Sequence, residues 1–254
     1  TVSLSEFAYT FANDLAAGGY QVRAVISGTA DYTETVWEKD FTIDRQTITA
    51  PKTAGYNGRV LTYTGEGLVP VAIESAAASN PLYAIVEYIR MGNGDTSLNL
   101  TKPSEIGNYF VVLELSDPAN YQWAINNDEQ GSDEDEKDEI EDVSTGRVKL
   151  WYEIARDDYE ATVTIMGWTY GDTDYADNEP AIDTTNSEAL AAIARGDVTY
   201  WYTGTVYNGN EEYTSVANKD YTVGIPTEAG EYTLHVRIVE LANYREKTIT
   251  CTFT

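Results

Sequence analysis

One segment occurs three times in this chain, and it constrains the fold more than any other feature. Ala17-Gly18-Gly19-Tyr20-Gln21-Val22-Arg23-Ala24-Val25 runs on to Ala30-Asp31-Tyr32. Ile106-Gly107-Asn108-Tyr109-Phe110-Val111-Val112-Leu113-Glu114 runs on to Ala119-Asn120-Tyr121. Ala229-Gly230-Glu231-Tyr232-Thr233-Leu234-His235-Val236-Arg237 runs on to Ala242-Asn243-Tyr244. The two tyrosines stand 12 residues apart in every copy. Spacing held constant over three copies marks a recurring structural unit.

Each copy reads as a hairpin. The glycine ahead of the first tyrosine admits a tight turn into a strand. Apolar and polar residues then alternate, with Tyr232, Leu234, Val236 and Ile238 set against Thr233, His235 and Arg237. That period of two belongs to a strand with one buried face. The Asp-Tyr or Asn-Tyr pair closes a short loop, and a second strand follows, Trp37 to Ile43 or Lys247 to Phe253. The match extends upstream. Tyr9-Thr10-Phe11, Leu98-Asn99-Leu100 and Tyr221-Thr222-Val223 each begin 11 residues before the first tyrosine of their copy. Val86-Glu87-Tyr88 corresponds to Val198-Thr199-Tyr200, and Tyr56-Asn57-Gly58 to Trp168-Thr169-Tyr170-Gly171-Asp172. Composition agrees: 20 Tyr stand against 5 Phe, and Tyr and Thr suit a pleated, half-buried surface. The expected fold class is all-β.

The Gly-Trp-Thr-Tyr-Gly-Asp opening at 167–172, the Val-Thr-Tyr centre at 198–200, the Glu-Ala-Gly-Glu-Tyr turn at 228–232 and the Ala-Asn-Tyr corner at 242–244 resemble the bacterial Ig-like domains of the MBG or YDG type. The resemblance covers residues 45–254 as two units and 1–44 as a partial one. It implies tandem Ig-like β-sandwich domains, two complete and one partial at the N-terminus. It also implies an extracellular place on a bacterial cell surface, in a large surface protein such as an adhesin. It brings no catalytic residue, because the family motif is structural.

Two departures from a regular array stand out. Residues 1–44 hold only the later strands of a unit, and a half-sandwich leaves a core face and sheet edges open. These strands are expected to pair with sequence outside the chain or with another copy, and the chain reads as a fragment from inside a longer polypeptide. The second departure is an acidic insertion at 126–142 in the domain spanning 45–154. Val143 to Ile154 then supplies the last strand, with Val148, Leu150 and Tyr152 on one face, so the insertion tips a hairpin. The boundary to the last domain, 155–254, falls at Ala155-Arg156-Asp157-Asp158.

Charge narrows the partners. The chain carries 16 Lys and Arg against 42 Asp and Glu, a net of −26. Nucleic acid needs a cationic patch and is a poor partner. No run approaches the ~18 apolar residues of a membrane span. The acidic insertion offers oxygen ligands for Ca²⁺, with Asp133, Asp135 and Asp138 as candidates. It lacks the EF-hand spacing, and a run of like charge is more often a solvated loop. The single cysteine, Cys251, shares a strand face with Ile249 and Phe253 and reads as a core thiol.

Catalytic patterns do not emerge. The one histidine, His235, falls on a strand, opposite in phase to Leu234 and Val236, and no phosphate loop or zinc spacing is present. The chain is therefore not read as an enzyme. Tyr200, Trp201 and Tyr202 are the candidate ligand-binding aromatics, although alternation divides them between two faces. Trp37, Trp123, Trp151 and Trp168 read as core residues. Lys39, Lys149 and Lys247 lie in last strands, where an isopeptide cross-link to Asn is conceivable in such domains. The expected function is a structural stalk or spacer in a surface protein, with an adhesive contribution. The alternatives are a module that binds glycan or a host or cell-surface protein through exposed aromatics or free sheet edges, and an accessory domain of a secreted polysaccharide-degrading enzyme.

Overall fold

A computed structural model describes residues 15–52, 58–125, 138–142, 144–174 and 178–254. The described residues are all-β apart from two short helices. The chain divides into two units, Thr1–Leu61 with Gly65–Ile154, and Thr62–Thr64 with Ala155–Thr254. Among the described residues no helix is long and apolar enough to cross a membrane. Tyr9-Thr10-Phe11 and Tyr56-Asn57 lie outside the described residues.

The first unit contains β1 (Gly18–Ile26), β2 (Thr35–Ile43), β3 (Gln46–Thr49), β4 (Val60–Thr62), α1 (Val71–Ser79), β5 (Tyr83–Arg90), β6 (Thr96–Ser97), β7 (Gly107–Leu115), β8 (Tyr121–Ala124), β9 (Glu139–Asp142) and β10 (Arg147–Ala155). Its main sheet runs β4-β10-β7-β5-β6, with β9 also paired to β10. β1 and β2 form an antiparallel pair of their own, and β3 and β8 a parallel one. Val148, Leu150 and Tyr152 are buried as their phase predicts, and Trp151 between them is buried as expected of a core residue. Trp151 packs with Phe110 and Val112, while Tyr152 lies beside Tyr109 at 5.7 Å between ring centroids. β7 therefore buries both faces, which is why its sequence reads as a nearly continuous apolar run, whereas in β10 only Trp151 is buried on the face that also carries Arg147, Lys149 and Glu153.

The second unit contains β11 (Thr162–Thr164), β12 (Ala181–Asp183), α2 (Ser187–Ala194), β13 (Val198–Val206), β14 (Glu211–Thr214), β15 (Gly230–Ile238) and β16 (Lys247–Phe253). Its antiparallel main sheet runs β14-β13-β15-β16, and β11 pairs with β12. Inward residues of β13, β15 and β16 join Val163 and the helix in one core. The strand reading anticipates neither helix. For α2 the signal was present: Asn186 caps it by accepting the Ala189 N–H at 3.0 Å, and the run that follows is rich in strong helix formers. Ala189 and Ala192 are fully buried, and side chains this small let the helix lie close to the sheet.

The repeat acquires a physical cause. Tyr20, Tyr109 and Tyr232 each donate the phenol hydroxyl to the carbonyl four residues earlier, Ala16 at 2.7 Å, Glu105 at 2.9 Å and Glu228 at 2.8 Å. The glycine two places before the tyrosine makes room for this latch. Gly18 and Gly107 hold φ of +153° and +146°, and a Cβ on Gly230 would lie 2.7 Å from the Tyr232 hydroxyl.

The loop that ends at the second tyrosine also recurs. Thr29 N–H donates to the Tyr32 carbonyl at 2.8 Å, and Leu241 N–H to Tyr244 at 3.0 Å. In the middle copy Pro118 occupies that place and has no N–H to give. There the loop closes on the Asp117 carbonyl, which accepts from Asn120 and Tyr121. The segment after each preceding last strand is held alike, with Gln46 N–H on the Asn120 carbonyl in the first unit and Asp157 N–H on the Asn243 carbonyl in the second.

Register makes the three hairpins comparable. Tyr20 faces Phe41 and Tyr232 faces Phe253, 21 residues on in both cases. Tyr109 faces Tyr152, 43 residues on, and the insertion at 126–142 takes up most of the difference. Within that insertion β9 folds back on β10, whereas β8 leaves to pair with β3. Trp123 and Trp151 are buried, and Trp168 is partly buried against the core. Trp37, expected in a core, is instead 37 % exposed on the open β1–β2 ribbon.

Candidate functional site

β13 alternates strictly, so its two faces are chemically different. Val198, Tyr200 and Tyr202 turn inward to the core. Thr199, Trp201, Thr203 and Thr205 have the opposite phase. The register sets Thr199 beside Arg237, Trp201 beside His235, Thr203 beside Thr233 and Thr205 beside Glu231. One strand further, His235 faces Thr250 and Thr233 faces Thr252. The outer face of this sheet is thus a lawn of threonine hydroxyls around one aromatic pair.

That pair is Trp201 on His235, with ring centroids 4.9 Å apart and planes within 6° of parallel. His235 Nε2 and Thr203 Oγ1 share a 2.8 Å hydrogen bond whose direction follows the imidazole tautomer. Burial depresses the His235 pKa below its ordinary value. Further along the same sheet lies an open polar cleft of about 530 Å³ lined by Thr205, Glu231, Thr233 and Thr252 among others, with neither Trp201 nor His235 in its lining.

The three aromatics proposed from sequence do not converge. Tyr202 is fully buried, donates to the Tyr221 carbonyl at 2.7 Å, and has its pKa raised by burial. Tyr200 packs edge-on against Tyr221 at 6.1 Å. Only Trp201 stands on the outer face, and His235 covers one side of its indole. His235 and Thr203 are the members that sequence reasoning left out. Their signal is cross-strand register, and no local pattern carries it.

His235 is the only histidine, so its titration can be read without assignment. Its NMR midpoint is expected below the model-peptide value of about 6.5, and Trp201→Ala is expected to bring it back up. The folded state resists the proton that the unfolded chain accepts. Stability of the second unit therefore falls as pH drops below about 6.5, until the folded midpoint is passed. A midpoint at or above the peptide value would contradict the burial.

The candidate cation ligands separate as well. Asp133 and Asp135 lie outside the described residues. Asp138 is buried and engaged by Arg59, with Nη1 at 2.5 Å from Oδ1 and Nη2 at 2.7 Å from Oδ2. Among the described residues no group of three or more His, Cys, Asp or Glu side chains gathers to hold a metal. The acids of β9 serve the sheet: Glu139 meets the Lys149 ammonium at 2.9 Å, which also lies over the Phe110 ring. Lys247 donates to the Tyr159 carbonyl, and Lys39 is exposed on β2. Cys251 lies on the inward face as expected, and burial raises its pKa.

No protein-family model, curated protein or solved structure matches this chain.

Proposed function

We propose that this chain is a load-bearing spacer built of Ig-like β-sandwich units, belonging to the extracellular part of a bacterial surface protein. The observation that carries the reading is the latched hairpin. Three copies share the same tyrosine-to-carbonyl bond, and two share the same tyrosine-to-phenylalanine register across widely separated parts of the chain. Recurring polar detail of this kind serves the scaffold. Each added unit then extends reach without a new chemical function. The resemblance to MBG or YDG domains and the strongly anionic surface support an extracellular location.

Pulling the chain from its ends tests this. Discrete unfolding steps are expected, with a contour-length gain of about 35 nm for a unit of roughly 100 residues. Smooth extension without steps would remove the spacer reading. The Trp201–His235 pair and the threonine-lined cleft further along its sheet favour a second reading, a glycan- or protein-binding module. In a glycan and host-protein binding screen, that reading requires a ligand whose binding Trp201→Ala abolishes.

A further inference from the structure

Both units carry Asn-Gly in the same hairpin turn. Asn93-Gly94 joins β5 to β6, and Asn208-Gly209 joins β13 to β14. A third pair, Asn57-Gly58, begins outside the described residues. The dipeptide suits a tight turn, because Gly reaches positive φ without strain and Asn tolerates it. The turn of the second unit uses that freedom twice in succession, at Gly209 with φ of +85° and at Asn210 with φ of +54°. The same missing Cβ leaves the glycine nitrogen open to the asparagine side chain.

We propose that Asn208-Gly209 is a site of spontaneous deamidation whose isoaspartyl product loosens β14. The Gly209 amide nitrogen attacks the side-chain carbonyl carbon of Asn208, and the new C–N bond closes a succinimide ring. The bond to Nδ2 breaks, and ammonia leaves carrying the former Gly209 amide proton. One water then opens the ring, returning a hydrogen to nitrogen and leaving a carboxylate on carbon. Opening at the side-chain carbonyl gives Asp, and opening at the main-chain carbonyl gives an isoaspartyl linkage. No oxidant or reductant takes part.

The two turns differ in the state of the attacking nitrogen. Gly94 N–H donates to the Gly92 carbonyl at 2.7 Å, and that bond must break before Asn93 reacts. Among the described residues Gly209 N–H makes no such bond, and Tyr207 to Asn210 are all exposed. The product matters because the turn sets the register of a short strand. β14 has four residues and pairs with β13 from Val206 on Glu211 to Thr203 on Thr214. Loop length fixes such a register. An isoaspartyl residue routes the chain through its own side chain and lengthens the loop by one methylene. It also places a new carboxylate near Glu211, whose side chain already reaches over Gly209. Tyr213, which packs edge-on against Tyr232 at 5.6 Å between ring centroids, is the inward anchor that the shift disturbs.

The test is ageing of the whole chain in warm, mildly alkaline buffer, followed by mass-spectrometric peptide mapping and by amide hydrogen exchange across Glu211 to Thr214. Asn208 is expected to convert roughly two- to tenfold faster than Asn93, the factor set by one extra hydrogen bond. The converted peptide gains one water and loses one ammonia. In the isoaspartyl fraction β14 is expected to exchange about tenfold faster than in fresh protein. Asn208→Ser has no ammonia to lose and should keep its β14 exchange unchanged with age. Asn208→Asp carries the charge without the extra methylene and should retain most of the protection. Conversion of Asn93 while Asn208 stays intact overturns the proposal. So does an isoaspartyl fraction whose β14 exchanges like the fresh protein, or an Asn208→Asp chain that loses as much protection as that fraction.

Discussion

Arg59→Ala is expected to lower the stability of the first unit by about 3–5 kcal/mol, the range for stranding one member of a buried ion pair. Both side chains are 3 % exposed. Their position explains why the pair is there. β9 pairs with β10 along Arg147 to Lys149, and Arg59, just ahead of β4, accepts the Glu153 N–H on its carbonyl. Between these two partners, among the described residues, no strand runs beside Trp151 on that edge. Asp138 Oδ1 accepts the Trp151 N–H at 2.9 Å, and Arg59 Nη1 donates to the Trp151 carbonyl at 2.9 Å. The two side chains stand in for a missing stretch of strand.

This makes the double variant informative. Replacing a buried pair by apolar residues is often neutral, but here Arg59→Met with Asp138→Leu also removes both partners of the Trp151 backbone. Each unsatisfied group costs roughly 1–3 kcal/mol, so only part of the loss should return. Urea unfolding followed by tryptophan fluorescence measures both variants. A loss under about 1 kcal/mol for Arg59→Ala would mean that the pair is not buried in solution.

Phe253→Ala is expected to cost the second unit about 3–5 kcal/mol, the range for a buried aromatic truncated to alanine. The equivalent change in the first hairpin, Phe41→Ala, is expected to cost roughly half as much, because Phe41 is only half-buried. Phe253 is buried among Trp168 at 4.8 Å, Tyr232 at 5.8 Å and Tyr202 at 6.1 Å between ring centroids. Phe41 is half-buried and stacks on Tyr20 at 5.6 Å. The residue and the register are the same, and the degree of burial differs. Thermal unfolding of the two variants separates burial from local hairpin preference. Equal losses would show that Phe41 is as buried in solution as Phe253.

The hairpins were legible because their cause is local. A tyrosine that bonds to a carbonyl four residues back, a glycine two residues ahead of it and a period of two all fit within one short window. The same reasoning placed Cys251 with Ile249 and Phe253 on one face of β16. Trp151 reads as a core residue from its hairpin position, and it is buried on the face opposite Leu150 and Tyr152. Strand reasoning passed over α2, where a run of Ala and Leu after Asn186 carried a helix signal within a strand-dominated sequence. Trp201 was found, but its neighbour His235 lies 34 residues away and becomes a neighbour only through the register of β13 on β15.

By itself, then, the sequence determined the all-β class, the three hairpins and the phase of their strands, since backbone sterics and alternation act over a few residues. Tertiary structure alone decided three things. β8 pairs with β3 and not within the hairpin it follows, Asp138 is drawn from an acidic run into an ion pair with Arg59, and the described residues of the first hairpin are less buried than their counterparts in the second unit. Each depends on which distant segment fills a sheet edge or covers a face. Such competition between remote partners is settled by burial and hydrogen-bond satisfaction across the fold, and no local window of residues contains it.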